Sequence, residues 1–414
     1  MVCPRETKKR PERKELRMKY DFTTVMDRRG HDIIAAEVIP FDHVSVEEGF
    51  STIPMWVADM SFPTPPFILE AMAERLRFPN LGYFAEPEAY ARTIMDWHRT
   101  RKGVTDLTPD CIGYENGVLG GVSSAVRALT SPGDPILLHA PTYVGFTHVL
   151  EDTGRRAVHS KLIRDTEGVW RMDYEDMDRK LKEHRIHLAI FCSPHNPTGR
   201  VWEEWEIKRA MEVYAANHCL VISDEIWSDI IMPGYRHIPT QSVSPDAKAR
   251  TIAFYAPSKT FSLAGLIGSY HVVYDPLLRD RLRREGALTH YNSQNVLSMA
   301  ALLGAYTHGA EWVDELCAVL NDNIQYAVDF IHANFAGVSV MRPQGTYMLF
   351  LDCGEWCKAH GTSIGELQHR GVRKGVIWQN GEAFLWPDSI RMNLALPNSL
   401  LREAMSRLER YAFV

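Results

Sequence analysis

The sequence predicts an α/β protein: a large domain with a mostly parallel central sheet between helices, and a smaller α+β domain. Apolar, β-branched runs alternate with amphipathic helical patterns between residues 111 and 275. This alternation is typical of parallel strands joined by helices. Beyond residue 310 a long helical pattern precedes two strand patterns, which indicates a second, mixed unit.

We predict four segments along the chain. Residues 1–19 form a basic N-terminal tail, which is not a secretory signal because no apolar core follows its charges. It could bind an anionic partner, but a solvated or partner-draped arm is the favoured interpretation. Residues 55–290 form the large domain. Residues 20–54 and 291–414 together form the small domain.

Composition excludes several classes of protein. The chain has 414 residues, 45% hydrophobic and 24% charged, which is enough for a large buried core. Its net charge of −6 argues against a nucleic-acid partner. No apolar run approaches the roughly 20 residues that cross a bilayer, so we expect no membrane partner. Seven scattered cysteines without metal-ligand spacing predict no metal site and a reducing, cytoplasmic location.

The individual elements follow from local patterns. Residues 54–66 are proline-rich and predict an extended loop, followed by a helix over 66–77 and a turn at Tyr83. A long helix is expected near 287–306, another over 311–333, and paired strands within 338–352. The strands of the large sheet are expected at CIGY (111–114), PILLHA (135–140), HLAIFCS (187–193), CLVIS (219–223), TIAFYA (251–256) and SYHVVY (269–274). Helices are expected over 118–129, from about Tyr143, and up to Ala215.

Lys259 is the residue around which the chain is organised. It follows the predicted strand TIAFYA, and the carboxyl ends of strands in open α/β sheets are where ligands bind. Burial there would depress its pKa and make it an amine able to form an imine. The alternative is a solvated loop lysine, and the residues at neighbouring strand ends decide between the two.

Those neighbours carry a recognisable pattern. Asn196 follows one strand in SPHNPTG and Asp224 follows the next in VISDEIW, so asparagine, aspartate and lysine come at successive strand ends. With PMWVADMSFPTPP (54–66), SPHNPTGRVW (193–202), PSKTFSLAGL (257–266) and QGTYMLFLDC (344–353), the chain resembles the class I/II aminotransferase superfamily of fold-type I pyridoxal-phosphate enzymes. Within it, the chain is most similar to the PatB/MalY group of carbon–sulfur β-lyases, from about Tyr20 to the C-terminus.

The resemblance implies a pyridoxal 5'-phosphate cofactor and a role for each matching residue. Lys259 would bind the cofactor covalently and act as the catalytic base, Asp224 would face the ring nitrogen, and Asn196 would bind the 3-oxygen. The remaining cofactor-binding positions are Gly117, Val118 and Leu119 at a helix start, Tyr143 stacked on the ring, Trp227, Ser258, and Tyr83 reaching the phosphate of a second subunit. The last of these implies a homodimer with a shared active site.

Arg391, in the strand pattern SIRMNLALP, matches the arginine that binds the substrate α-carboxylate. A planar guanidinium suits a carboxylate, and an arginine in an apolar strand needs an anionic partner in any case. Asn196, Trp56 and Ala58 would line the substrate site with it. Each position also has a structural reading: a salt bridge for Arg391, a core side chain for Tyr143 or Trp56, a helix cap for Asp224 and a turn for Asn196. We also expect the Asn196–Pro197 bond to be cis.

Four positions depart from the family pattern. Ala256 stands where a phosphate-binding serine is usual, with Ser258 as a replacement, and Ile267 stands where aminotransferases carry an arginine. Trp227 replaces a tyrosine or histidine, and an indole cannot accept a hydrogen bond. Ser61 replaces an aspartate. These departures affect the expected substrate more than the cofactor.

The function expected from the resemblance is β-elimination from cystathionine or a cysteine conjugate, which gives a thiol, pyruvate and ammonia. One alternative is an aminotransferase, or a related enzyme, acting on a specialised amino acid. The other is a protein that retains the fold for non-enzymatic regulation. An enzyme is favoured because Lys259, Asp224, Asn196 and Arg391 are all present.

Overall fold

The computed structural model describes residues 18–41, 43–289 and 292–414. Most of the predicted tail therefore lies outside the described residues. The helices of the described chain are α1 Ile34–Glu37, α2 Pro66–Arg77, α3 Glu88–Trp97, α4 Gly117–Leu129, α5 Val144–Asp152, α6 Tyr174–His184, α7 Glu204–Ala216, α8 Pro245–Arg250, α9 Pro276–Thr289, α10 Val296–His308, α11 Ala310–Asn334, α12 Gly354–Ala359, α13 Ile364–Arg373 and α14 Asn398–Tyr411.

The strands alternate with these helices and then cluster near the C-terminus. They are β1 Ile53–Pro54, β2 Ile112–Asn116, β3 Pro135–Ala140, β4 Arg156–Lys161, β5 Ile163–Arg164, β6 Trp170–Arg171, β7 Leu188–Cys192, β8 Leu220–Asp224, β9 Thr251–Tyr255, β10 Gly268–Val272, β11 Ser339–Val340, β12 Met348–Asp352, β13 Val376–Ile377, β14 Gln379–Asn380 and β15 Ser389–Asn393.

A seven-stranded sheet has the order β2-β10-β9-β8-β7-β3-β4. Strands β4, β3, β7, β8 and β9 pair in parallel, whereas β10 is antiparallel to both β9 and β2. This confirms the predicted mostly parallel sheet. Because β10 runs in the opposite direction, its first residue, Gly268, lies beside Asn116 at the carboxyl end of β2.

Both faces of this sheet are covered by helices, as expected from its continuously apolar strands. In β7, Ile190 belongs to a buried cluster with residues of α4 and α5, such as Val122 and Phe146. The next residue, Phe191, belongs to a second cluster with residues of α7, such as Met211. Successive side chains of a strand point to opposite faces, so the sheet lies between two helical layers.

A separate four-stranded antiparallel sheet, β11-β12-β15-β14, lies in the C-terminal part of the chain. The pairing of β11 with β12 confirms the strands predicted within residues 338–352. Strand β1 pairs in parallel with β13, and this joins the segment before residue 55 to the C-terminal region. Arg391, in the middle of β15, lies opposite Phe350 and Gln379.

The long helix predicted near residues 287–306 is wrong. Helix α9 includes Thr289, residues 292–295 are not helical, and α10 begins at Val296. Asn292 instead bonds to strand β2: its Oδ1 accepts from the Asn116 N–H at 2.9 Å, and its Nδ2 donates to the Tyr114 carbonyl at 3.0 Å. Asn295 caps α10 by accepting from the backbone N–H of Leu297.

Candidate active site

A cavity of about 250 Å³ opens where β7 and β8 end, where α4 begins and where the segment from β9 to β10 crosses them. Carboxyl ends of parallel strands are the usual position of ligand sites in such sheets. The cavity brings together ten residues that the sequence singles out: Ala58, Gly117, Val118, Leu119, Tyr143, Asn196, Asp224, Trp227, Ser258 and Lys259.

Lys259 lies four residues beyond the end of β9 and points its amine into the cavity. Its Nζ donates a hydrogen bond to the Ala58 carbonyl at 2.8 Å. Burial disfavours the ammonium form and lowers the pKa of Lys259 to about 8, helped by the cationic Arg391 and opposed by Asp59 and Asp224. About a tenth of this amine is therefore unprotonated at pH 7, far more than for an ordinary lysine.

Asp224 is the last residue of β8 and is buried. Its Oδ1 accepts from the Ile226 N–H at 3.0 Å, and no second donor to this carboxylate is found within the described residues. Burial raises the pKa of Asp224 to about 7, because a single backbone bond does not replace the lost water. A cationic group placed in the cavity beside Asp224 would restore its charged form.

Arg391, on β15, is not among the residues that line the cavity, but it bonds to Asn196, which is. Its guanidinium donates to Asn196 Oδ1 at 3.2 Å, the Trp56 carbonyl at 2.7 Å and Gln379 Oε1 at 2.9 Å, all of them neutral acceptors. Across the described chain no carboxylate pairs with it, and its buried Nε has no acceptor. Burial lowers the pKa of Arg391 to about 10. Arg391 is therefore a buried cation without an anionic partner among the described residues.

The start of α4 forms one end of the cavity. Gly117 has a φ of +73°, in the left-handed region that favours glycine, and it turns the chain from β2 directly into the helix. The first N–H groups of a helix lack partners within the helix and favour anions. The helix start therefore suits the phosphate of a ligand.

Two aromatic side chains form walls of the cavity. Tyr143 precedes α5 and packs edge-on against Phe146, with ring centroids 5.3 Å apart. Trp227 is buried and packs edge-on against Tyr347 at 4.7 Å. Flat apolar walls of this kind orient a planar ligand.

Asn196 follows β7 in a segment with unusual backbone geometry. The Asn196–Pro197 peptide is cis, as predicted, and so are Ala140–Pro141 and Ser193–Pro194, which were not predicted. Asn393, on β15, donates through Nδ2 to the carbonyls of Val57 and Asp59 and so ties the segment beside the cavity to this strand.

Three of the predicted positions do not line the cavity: Arg391, which contacts it through Asn196, and Tyr83 and Trp56. Tyr83 is fully exposed, in the segment between α2 and α3. Trp56 does not line the cavity with its side chain, but its carbonyl accepts from Arg391. Glu225, next to Asp224, is buried and bonds to His237 and Tyr255, which fits a structural role.

Five further residues line the cavity, although none of them was predicted as a site residue: Cys192, Ile226, Ala264, Ile267 and Gly268. Ile267 and Gly268 reach the cavity because β10 is antiparallel, and a strand pattern does not reveal strand direction. Ile267 has a φ of +62°, a conformation that costs a β-branched residue about 1–2 kcal/mol. The Cys192 thiol ends β7, and burial raises its pKa, so it is not a reactive thiolate.

Within the described part of the chain, no group of three or more His, Cys, Asp or Glu side chains is arranged to hold a metal ion. Among the same residues, none of the helices combines the length and apolar character required to span a bilayer. Six described cysteines are free and buried.

The fold and this cavity together define a class of enzyme. The family model for aminotransferase class I and II matches residues 53–408, so the chain belongs to this family.

Among individual relatives, cystathionine beta-lyase PatB of Bacillus subtilis is 32% identical, over 86% of this chain and 92% of that protein. Protein MalY of Escherichia coli is 29% identical, over 94% of this chain and 98% of that protein. The crystal structure of cystalysin from Treponema denticola, which contains a pyridoxal 5'-phosphate cofactor, superposes with a TM-score of 0.88. It is 29% identical and covers 95% of this chain and 98% of that one.

Proposed function

We propose that the protein is a pyridoxal-phosphate-dependent carbon–sulfur β-lyase that acts on cystathionine or another S-substituted cysteine. The observation that carries this proposal is the convergence of a buried amine, a buried carboxylate and a buried guanidinium around one cavity: Lys259, Asp224 and Arg391. The names of PatB and cystalysin support the cofactor and the class of substrate.

The residues around the cavity fit this cofactor. Asp224 would pair with the ring nitrogen, the start of α4 at Gly117 would hold the phosphate, and Tyr143 would offer a flat face to the ring. Ser258 and Trp227 complete the walls, and Asn196 Nδ2 is free to bond the ring oxygen, because only Oδ1 of this side chain is used by Arg391. When bound, pyridoxal phosphate supplies a ring that accepts the electron pair left at the substrate Cα.

Arg391 binds the α-carboxylate of the substrate. Its present acceptors are neutral and its Nε is unpaired, so an incoming carboxylate gains charge-assisted hydrogen bonds and supplies the missing negative charge. Asn196 and Ala58 lie beside it, and the carbonyl of Trp56 fixes the guanidinium. The amino acid is thereby held with its Cα close to Lys259.

Lys259 is the residue that takes the proton from the substrate Cα. With a pKa of about 8 it is partly neutral at physiological pH, so it would hold the cofactor covalently and would be the base that removes the substrate Cα proton. The electron pair then expels the Cβ substituent as a thiolate. With one water, an S-substituted cysteine gives a thiol, pyruvate and ammonium.

The test is to incubate the holoenzyme with cystathionine and with smaller S-alkyl cysteines in the absence of a keto acid. We expect thiol, pyruvate and ammonia in equal amounts, together with a visible cofactor band that borohydride removes and that Lys259→Ala lacks. A requirement for an added keto acid would instead identify an aminotransferase. A protein that binds no pyridoxal phosphate would contradict the proposal and favour a non-enzymatic role.

We also propose the oligomeric state, the domain boundaries and the location of the protein. The chain works as a homodimer in which Tyr83 reaches the cofactor phosphate of the other subunit, a role that its full exposure permits. Residues 55–290 form the large domain, and 20–54 with 291–414 form the small one, consistent with the positions of the two sheets. The enzyme is cytoplasmic, which suits six buried cysteines that form no disulfide among themselves.

A further inference from the structure

The short segment 56–61 holds both cations of the active site. The carbonyl of Ala58 accepts from Lys259 Nζ at 2.8 Å, and the carbonyl of Trp56 accepts from Arg391 Nη2 at 2.7 Å. Within the described chain this stretch belongs to no strand; a backbone bond from the Ser61 N–H to the Ala395 carbonyl at 2.8 Å and side chains from elsewhere fix its position. Any shift in it would move the acceptors of both groups.

Arg28 is one of the side chains that hold this segment. It is 7% exposed, and its Nη1 donates to the Met60 carbonyl at 2.9 Å and to Ser61 Oγ at 3.0 Å. Its Nη2 forms an ion pair with Asp59 Oδ2 at 3.1 Å. A planar, multiply bonded guanidinium of this kind fixes geometry in a way that a lysine cannot.

The ion pair also determines the charge near Lys259. Three charged side chains act on the lysine: Asp59 and Asp224 favour its ammonium form, and Arg391 disfavours it. Asp59 has the largest effect of the three, yet it does not pair with the lysine. Its two oxygens are taken by Arg28 and by the Ser262 hydroxyl at 3.0 Å.

We propose that Arg28 is a positioning residue for Lys259: it holds segment 56–61 in place and keeps Asp59 from forming an ion pair with the lysine. The inference rests on the proposed function, because it concerns the same lysine. Without Arg28, the Asp59 carboxylate turns toward Lys259 and stabilises its protonated form, and the amine becomes less reactive.

The experiment uses the cofactor-free full-length chain and saturating pyridoxal phosphate. The visible band that reports the covalent bond to Lys259 is followed in time between pH 6 and pH 9. Its rate measures the neutral fraction of the amine once the cofactor is bound. The variants are Arg28→Met, Asp59→Asn and the double variant. Arg29→Met is the matched control, because Arg29 is the exposed neighbour that pairs with Asp27.

We expect the wild-type rate to rise with a midpoint near pH 8. In Arg28→Met the midpoint moves up and the rate at pH 7 falls about tenfold, because a pKa change of one is a factor of ten in neutral amine. In Asp59→Asn the midpoint moves down. The midpoint of the double variant lies below that of Arg28→Met, because the Asp59 carboxylate that the loss of Arg28 would release is no longer present. Arg29→Met matches the wild type.

Unchanged pH midpoints in a cooperatively folded Arg28→Met would overturn the inference, and so would a control that shifts as much as Arg28→Met. If Arg28→Met does not fold, Asp59→Asn decides: a lowered midpoint supports the inference and an unchanged or raised one overturns it. If the wild type forms no band, the proposed function itself fails, which is a distinct result.

Discussion

At the scale of single residues, the site is made of charges that the protein itself leaves unneutralised. Among the residues that the structure describes, Arg391 has only neutral acceptors and Asp224 has one backbone donor. Such groups cost folding free energy when they are buried without partners. Their persistence around one cavity is better explained by ligand binding than by packing.

Asp224 gives a pH-dependent test of this cost. Its pKa is about 7 in the fold against about 4 in an unfolded chain, so the folded state binds the proton more tightly. Stability contributed by the protonated acid is present below about pH 4 and is lost as pH rises through 7. We therefore expect cofactor-free Asp224→Asn to be more stable than wild type at pH 8, on the order of 2–4 kcal/mol, and nearly equal at pH 4.5.

Urea denaturation of both proteins at the two pH values measures this difference. Asp110→Asn, which changes an exposed carboxylate, is the control and should show little difference at either pH. Equal stability of Asp224→Asn and wild type at pH 8 would mean that the buried carboxylate costs nothing. The same variant should lose affinity for pyridoxal phosphate.

Arg391 gives a test of substrate binding. Arg391→Lys keeps a positive charge but loses the fork that reaches Asn196, Trp56 and an incoming carboxylate together. We expect kcat/KM to fall about 10–100-fold, the equivalent of one charge-assisted hydrogen bond of roughly 1.5–3 kcal/mol. The visible cofactor band should be unchanged. Arg402→Lys, an exposed position, should behave like the wild type, and a similar loss there would argue against a specific role.

At the scale of elements, the sequence patterns correctly predicted features that depend only on neighbouring residues, such as the ends of individual helices and strands. Helix α2 has its predicted ends, and Pro66 at its first position suits a helix start because its missing N–H has no partner there anyway. Strand β3 also has its predicted ends. The polar residues at the ends of β7 and β8 lie together, as expected, because the carboxyl ends of parallel strands are at the same edge of the sheet.

What failed at this scale depended on distant partners. The helix predicted near 287–306 is interrupted because Asn292 bonds to β2, about 176 positions earlier in the chain. The direction of β10, which brings Ile267 and Gly268 to the cavity, likewise depends on which strands it joins. A local periodicity in the sequence predicts neither the interruption of the helix nor the direction of the strand.

The start of α4 gives a prediction for an element. Gly117→Ala would place a side chain at a φ of +73°, where the nearest neighbour atoms are 3.8 Å away, so the cost is backbone strain of about 1 kcal/mol rather than a clash. We expect weaker binding of pyridoxal phosphate, measured by spectral titration, and a lower melting temperature.

Gly120→Ala is the matched control, three residues further into the same helix. Its added carbon would make ordinary contact at 3.6 Å with Asn116, and alanine is the better helix former by about 1 kcal/mol. It should therefore bind the cofactor normally and melt at the same or a higher temperature. If both variants bind the cofactor equally well, the helix start is not the phosphate site.

At the scale of the whole molecule, the proposed shared active site predicts complementation. Lys259→Ala homodimers should be inactive and Tyr83→Ala homodimers strongly impaired. When the two are unfolded and refolded as an equal mixture, half of the dimers are mixed, and each mixed dimer has one site with both residues intact. About a quarter of all sites are then restored.

The fraction of restored sites is measured as the activity of the refolded mixture, compared with the activity of each variant refolded alone. Recovery near a quarter of the wild-type value supports a site built from two subunits. A mixture no more active than the average of its components would place Tyr83 outside the neighbouring site, and the shared cavity would have to be abandoned.

The burial of the six described cysteines has a practical consequence at the same scale. Cys192 ends β7, Cys317 lies in α11 and Cys357 in α12, and the other three lie directly beside strands: Cys111 before β2, Cys219 before β8 and Cys353 after β12. Apart from Cys192, which lines the cavity, an alkylating reagent can reach these thiols only when the surrounding structure opens. Mass-resolved alkylation over time would therefore report, site by site, which parts of the native protein open together and which open alone.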